Sequence, residues 1–133
     1  MFYESELGTR VDDPSESQIE ELLGQLEGVD ESYASLTDDA GNYVQVGGGP
    51  DEFTVELREF RPDGTFRHLK ASRREADPQE RHLSIGGASV AVRADQVLDL
   101  PAVRHLFRSF FRGEGADAVV VWHDMTAMFH EGA

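Results

Sequence analysis

Residues 53–58 read Phe-Thr-Val-Glu-Leu-Arg, so Phe53, Val55 and Leu57 alternate with Thr54, Glu56 and Arg58. A two-residue period sends successive side chains to opposite faces of a pleated strand, one face apolar and the other polar. A strand of this kind belongs to a sheet packed on one side and wet on the other, the usual state of antiparallel sheets and not of buried parallel ones. Arg61-Pro62-Asp63-Gly64 follows as a turn, with Pro presetting the bend. Residues 65–71 then return antiparallel to the first strand.

The neighbouring sequence extends the same pattern. Residues 32–37 and 43–47 flank Asp38-Asp39-Ala40-Gly41-Asn42, whose composition suits a tight turn and predicts a hairpin. Residues 2–7 predict a first strand closed by Gly8, and residues 83–85 and 89–93 two short strands around Gly86-Gly87. Residues 118–122 form the single wholly apolar run and predict a central or well-covered strand. Residues 72–80 are polar and read as an exposed loop.

Two segments carry the helical period instead. Asp12-Asp13-Pro14-Ser15 precedes Ile19, Leu22, Leu23 and Leu26, which predicts a helix capped by Ser15 or Asp13 and ended by Gly28. Asp95 or Asp99 opens a second helix, with Pro101 tolerated in its first turn. Its apolar stripe is Val103, Leu106, Phe107, Phe110 and Phe111, its basic stripe Arg104, Arg108 and Arg112, and Gly113 and Gly115 stop it. The helix aromatics and Trp122 read as core. Hairpin-linked strands with two amphipathic helices predict an α+β fold: a mostly antiparallel sheet of about six to eight strands, with both helices on one face. No linker, repeat or low-complexity run interrupts the 133 residues, so one domain spanning 1–133 is expected.

The charge is unevenly placed. Residues 1–63 hold 17 acidic side chains against Arg10, Arg58 and Arg61, which accounts for the whole net charge of −14, while residues 64–133 balance nine acids with nine bases. Nucleic acid is disfavoured as a partner because phosphate contacts need clustered Lys and Arg. A basic protein partner is favoured. Solvation or salt adaptation would also account for an acidic surface, although salt adaptation should spread acid over both halves. No basic-then-apolar leader and no apolar run near the roughly 18 residues of a membrane span is found, so a soluble cytoplasmic protein is expected.

Motifs for chemistry are sparse. The sequence has no cysteine, which removes disulfides and thiolate chemistry. His68, His82, His105, His123 and His130 show no H-x-x-x-H spacing, and adjacent His123 and Asp124 would point to opposite faces of a strand; no metal or other cofactor is expected. Gly47-Gly48-Gly49 is followed by Pro50-Asp51-Glu52 and a strand, not by a helix N-terminus, so a flexible turn is expected there and not a phosphate cradle. No G-x-S-x-G frames a serine nucleophile. An enzyme or small-ligand site, if present, would need a cavity on the sheet gathering groups such as His68, Glu56 and His123. A binding protein is the expectation, and not an enzyme.

Several stretches together resemble a known family. They are the capped helix over 15–26, Tyr43-Val44-Gln45-Val46-Gly47, FTVELRE over 53–59, RHLKAS over 67–72, Leu106-Phe107-Arg108-Ser109-Phe110-Phe111, and Trp122-His123-Asp124-Met125. From Ser15 through Phe129 the chain resembles immunity protein family one (the Imm one type), found beside bacterial polymorphic toxin genes. The resemblance implies a cytoplasmic antitoxin that binds and occludes the C-terminal domain of a cognate toxin. Such toxins often act on nucleic acid and carry a basic cleft. No functional residue is carried over. Charge clustering alone places the expected toxin-binding surface at Asp38, Asp39, Asn42, Asp51, Glu52, Glu56 and Glu59. A monomer and a homodimer fit the sequence equally.

Overall fold

A computed structural model describes residues 1–130. In chain order these form β1 (Phe2–Ser5), β2 (Arg10–Asp12), α1 (Glu16–Leu23), β3 (Tyr33–Thr37), β4 (Tyr43–Gly48), β5 (Phe53–Phe60), β6 (Phe66–Ser72), β7 (Glu80–Ile85), β8 (Ala88–Arg93), α2 (Leu100–Phe111) and β9 (Val121–Asp124), with 3-10 turns at Ala94–Gln96 and Thr126–Phe129. Seven strands make one antiparallel sheet in the order β2-β1-β3-β4-β5-β6-β9, and β7 pairs with β8 as a separate ribbon. The fold is α+β, as the alternating strands and two amphipathic helices required.

The two-residue period decides the layers. Tyr3, Ala34, Leu36, Val44, Val46, Val55, Leu57, Leu69 and Ala71 point to one face and join Ile19, Leu23, Val103, Leu106, Phe107 and Phe110 in one hydrophobic cluster. Each fully buried large side chain there contributes roughly 1.5–3 kcal/mol. The basic stripe of α2 runs along α1 and pairs with it. Arg112 reaches Glu16 at 2.8 Å, Arg108 pairs with Glu20, and the Arg104 guanidinium donates twice to the Glu20 carbonyl at 3.1 and 3.0 Å.

That clamp reaches the last turn of α1. The helix stops at Leu23 with Gly24 as its cap, short of Gly28; residues 25–26 tighten to three-residue bonds, and Arg104 braces the last turn by donating to the Glu20 carbonyl, which also accepts from the Gly24 amide. At the other end Ser15 is the cap, in a reciprocal box with Gln18. The segment before it differs from expectation. Residues 10–12 form the edge strand β2, which takes Asp12 from the expected helix entry, and β1 ends at Ser5 and not at residue 7.

Two further expectations are corrected. The apolar run 118–122 is not a central strand. β9 begins at Val121 and lies on the sheet edge, with Val119 50% and Val121 37% exposed; only Val120 is buried and Trp122 half-buried. β9 adds to the open side of β6, beyond which no further strand pairs among the described residues. The three glycines are not a flexible turn either. Gly47 and Gly48 end β4, and a Cβ on Gly49, at φ +119°, would sit 2.7 Å from the Leu26 carbonyl oxygen. They let the β4 end pack backbone to backbone against the loop after α1.

Candidate functional site

The face of the sheet turned away from the helices carries a polar row across all seven strands. Cross-strand register aligns Arg10, Glu4, Ser35, Gln45, Glu56, Lys70 and His123 as successive neighbours. Glu4 and Glu56 thus face inward across Ser35 and Gln45, with the cations Arg10 and Lys70 outside them. Strands about 4.8 Å apart put roughly 14 Å between the backbones of the two glutamates. Arg10 is bound to Glu4 at 2.9 Å.

A locked network flanks the row on the β6 side. His68 is 1% exposed, and its Nε2 lies 2.6 Å from Glu56 Oε1. Arg58 Nε donates to His68 Nδ1 at 3.1 Å, so Nδ1 is the acceptor and the ring proton sits on Nε2, where it is donated to Glu56. The Arg58 guanidinium lies 4.0 Å from the Phe66 ring centre and 4.4 Å from that of Phe129. The 3-10 turn closes over the imidazole: Thr126 Oγ1 accepts from the His68 amide at 2.8 Å, and the His68 and Phe129 rings are 4.4 Å apart. Burial alone would push the Glu56 carboxyl up, but the His68 hydrogen bond and the nearby Lys70 hold it below the ordinary value, so it is ionised at neutral pH. Both imidazole nitrogens are engaged, so His68 orients and desolvates a carboxylate and presents no nitrogen to a substrate.

Over the middle of the row lies a groove of about 410 Å³, walled by Glu4, Tyr33, Ser35, Gln45, Gly47, Thr54, Glu56 and Ile85 among others. The β7–β8 ribbon closes one end. Ile85 covers Gly47 so closely that a Cβ there would stand 2.6 Å from Ile85 Cδ1, and the Gly86 amide donates to Ser32 Oγ at 2.7 Å. Thr54, beside Gly47 in the β4–β5 register, is 5% exposed, and its Oγ1 has no hydrogen-bond partner among the described residues.

The acidic set read from charge does not form one surface. Asp38 accepts from the Ala40 and Asn42 amides and so builds its own turn, while Asn42 Oδ1 accepts from the Phe60 amide at 2.6 Å. Asp39 is exposed beside the Met1 amino group at 3.1 Å. Asp51 and Glu52 lie past the other end of β4, roughly 20 Å away over six strand residues. Glu52 pairs with Arg81, Glu59 with Arg67 at 2.6 Å, and Glu56 belongs to the row. Of the three groups named for a cavity on the sheet, Glu56 and His68 meet directly, whereas His123 bonds Ser72 at 2.8 Å. Glu4, Ser35 and Gln45 are not among the site residues expected from the sequence, and Thr54 is read there only as part of a wet strand face; the polar positions of each alternating strand are the signal that points to them.

Elsewhere Asp117 accepts from Ser109 Oγ at 2.6 Å and meets His105 Nε2 at 2.9 Å, while the Trp122 indole donates to the Asp117 carbonyl. Serine and histidine both spend their bonds on the carboxylate, an arrangement that anchors the 113–120 loop and activates no nucleophile. No family model matches this sequence, and no curated protein matches it.

Proposed function

We propose that this chain is an immunity protein, which binds and occludes the active site of a cognate toxin domain acting on nucleic acid, stoichiometrically and without catalysis. One observation carries the proposal. The strand order follows the chain closely, so the charge asymmetry of the sequence becomes a polarity along the sheet. Residues 1–48, which make α1 and the β2-β1-β3-β4 half of the sheet, hold twelve carboxylates and the single base Arg10. Among the later bases, Arg67 and Lys70 stand on β6 at the other side of the sheet, whereas Arg104, Arg108 and Arg112 of α2 meet Glu16 and Glu20 of α1 and offset acid there, so the polarity belongs to the strands. The resemblance to immunity protein family one supports the same role.

A domain that grips nucleic acid presents a basic cleft, and the acidic half of this sheet complements it. Opposite fields of this kind raise association rates toward ~10⁸–10⁹ M⁻¹s⁻¹ at low salt. Asp13 and Asp39 both reach the Met1 amino group, at 3.3 and 3.1 Å, which joins the β2 end and the β3–β4 turn into one acidic corner with Asp12. Partner kinetics provide the test, with the C-terminal domain encoded by the neighbouring gene as partner. Asp12→Lys, Asp13→Lys and Asp39→Lys together should slow its association at least tenfold at low salt and little at 0.5 M, with dissociation nearly unchanged. Failure of that domain to bind the wild-type chain would overturn the proposal.

A further inference from the structure

We infer that the groove on the open face of the sheet is a receptor site for an arginine side chain of the bound partner, with the guanidinium seated among Glu56, Gln45 and Thr54. The inference rests on the immunity role proposed for the chain and names the chemistry of one contact. Three observations support it. The walls of the groove, among the described residues, carry two carboxylates, two amide or hydroxyl side chains on the row, and no cationic side chain. A guanidinium is planar and offers five donors with no acceptor, so it suits a wall rich in acceptors. Thr54 lines the same space, and its buried Oγ1 has no hydrogen-bond partner among the described residues. A buried polar group without a partner is uncommon, and one that lines a groove marks where a ligand group completes the bonding.

The surroundings favour a cation over a neutral polar group. Glu56 is kept ionised by a histidine that donates to one oxygen, and His68 is held in that role from behind by Arg58. The carboxylate is therefore oriented before anything binds, which lowers the ordering cost of a contact. Tyr33 at the rim offers a ring for stacking. Glu4 stands at the far end of the groove, already bound to Arg10, and adds field but no direct bond.

The test separates this site from the immunity role by using the isolated chain. Nitrogen-15 amide spectra are titrated with N-acetyl-arginine amide, and in parallel with N-acetyl-citrulline amide, which keeps shape and loses charge. The arginine derivative should give saturable shifts at Gln45, Gly47 and Thr54, with a Kd on the order of millimolar. Citrulline should not saturate. Glu56→Gln retains an acceptor for His68 and should weaken arginine binding about tenfold; Thr54→Val should weaken it severalfold, and Glu4→Gln less than twofold. Equal shifts with citrulline, or no saturable shift with arginine, would overturn the assignment. If the neighbouring-gene domain binds the chain but arginine does not, the groove assignment alone falls. If arginine binds and that domain does not, the groove stands and the immunity role falls.

Discussion

Replacing Thr54 by Val should make the protein more stable, an unusual outcome for a substitution at a site 5% exposed. Thr and Val have nearly the same volume, so the methyl that replaces the hydroxyl neither opens a cavity nor crowds its neighbours. What changes is Oγ1, buried with no partner among the described residues. An unpartnered buried hydroxyl costs about 1–3 kcal/mol relative to water. At the lower end of that range, a gain of about 1 kcal/mol is expected. At about 2.1 cal/mol/K per residue the unfolding entropy of this chain is about 280 cal/mol/K, so Tm should rise by about 3–4 °C. With m about 2 kcal/mol/M the urea midpoint should move up by about 0.5 M at unchanged slope. Circular dichroism in urea reads both, and Thr54→Ser, which keeps the hydroxyl and loses the methyl, should fall below wild type. A Thr54→Val midpoint lower than wild type at the same m would mean that the hydroxyl is satisfied and would remove a main support of the groove assignment.

Gly47→Ala should detach the ribbon tip. Gly47 needs no positive φ, so the effect comes from a Cβ 2.6 Å from Ile85 Cδ1 and 3.2 Å from its Cγ1 and Cγ2. A loss of about 1–3 kcal/mol is expected, with faster hydrogen exchange at the Gly86 amide and unchanged protection in β5; unaltered exchange at Gly86 would refute the packing argument. Asp95, almost wholly buried, is held below the ordinary carboxylate value by the Arg93 guanidinium, against the upward push of burial and with help from the Asp77 amide. A depressed carboxyl stabilises the fold above its unfolded value of 3.8, and that contribution is lost as pH falls through the folded value. Asp95→Asn should therefore lower stability at pH 7 and flatten its decline below about pH 4; urea midpoints across pH 2–7 would test this, and parallel curves would refute it.

Much of this architecture is written in short stretches of sequence. The alternation of Phe53, Val55 and Leu57 with Thr54, Glu56 and Arg58 sorts the two faces of β5 correctly, because a strand's side-chain period is a property of its own backbone. Of the offered caps, Ser15 and not Asp13 starts α1, and Asp99 and not Asp95 starts α2, each accepting from the amide three residues on. Local chemistry of this range needs no partner from elsewhere in the chain. It falls short where a distant group intervenes: Arg104, 84 positions away, braces the last turn of α1 through the Glu20 carbonyl, a contact that no local pattern announces. The apolar run before β9 misled for a similar reason, since hydrophobicity alone does not tell an edge from a centre.

The site divides along the same line. Composition and position along the chain determined the fold class, the wet face and the acidity of the first half, and a sheet that keeps chain order turned that last property into a spatial one. Only the tertiary structure brought Arg10, Glu4, Ser35, Gln45, Glu56, Lys70 and His123 into one row, because register across six strand pairs depends on every turn length and on which face each strand buries. Only packing set Ile85 over Gly47 and left Thr54 beneath without a partner. A one-residue slip in any pairing would have sent these side chains into the core, so the row exists because the apolar face had to be buried.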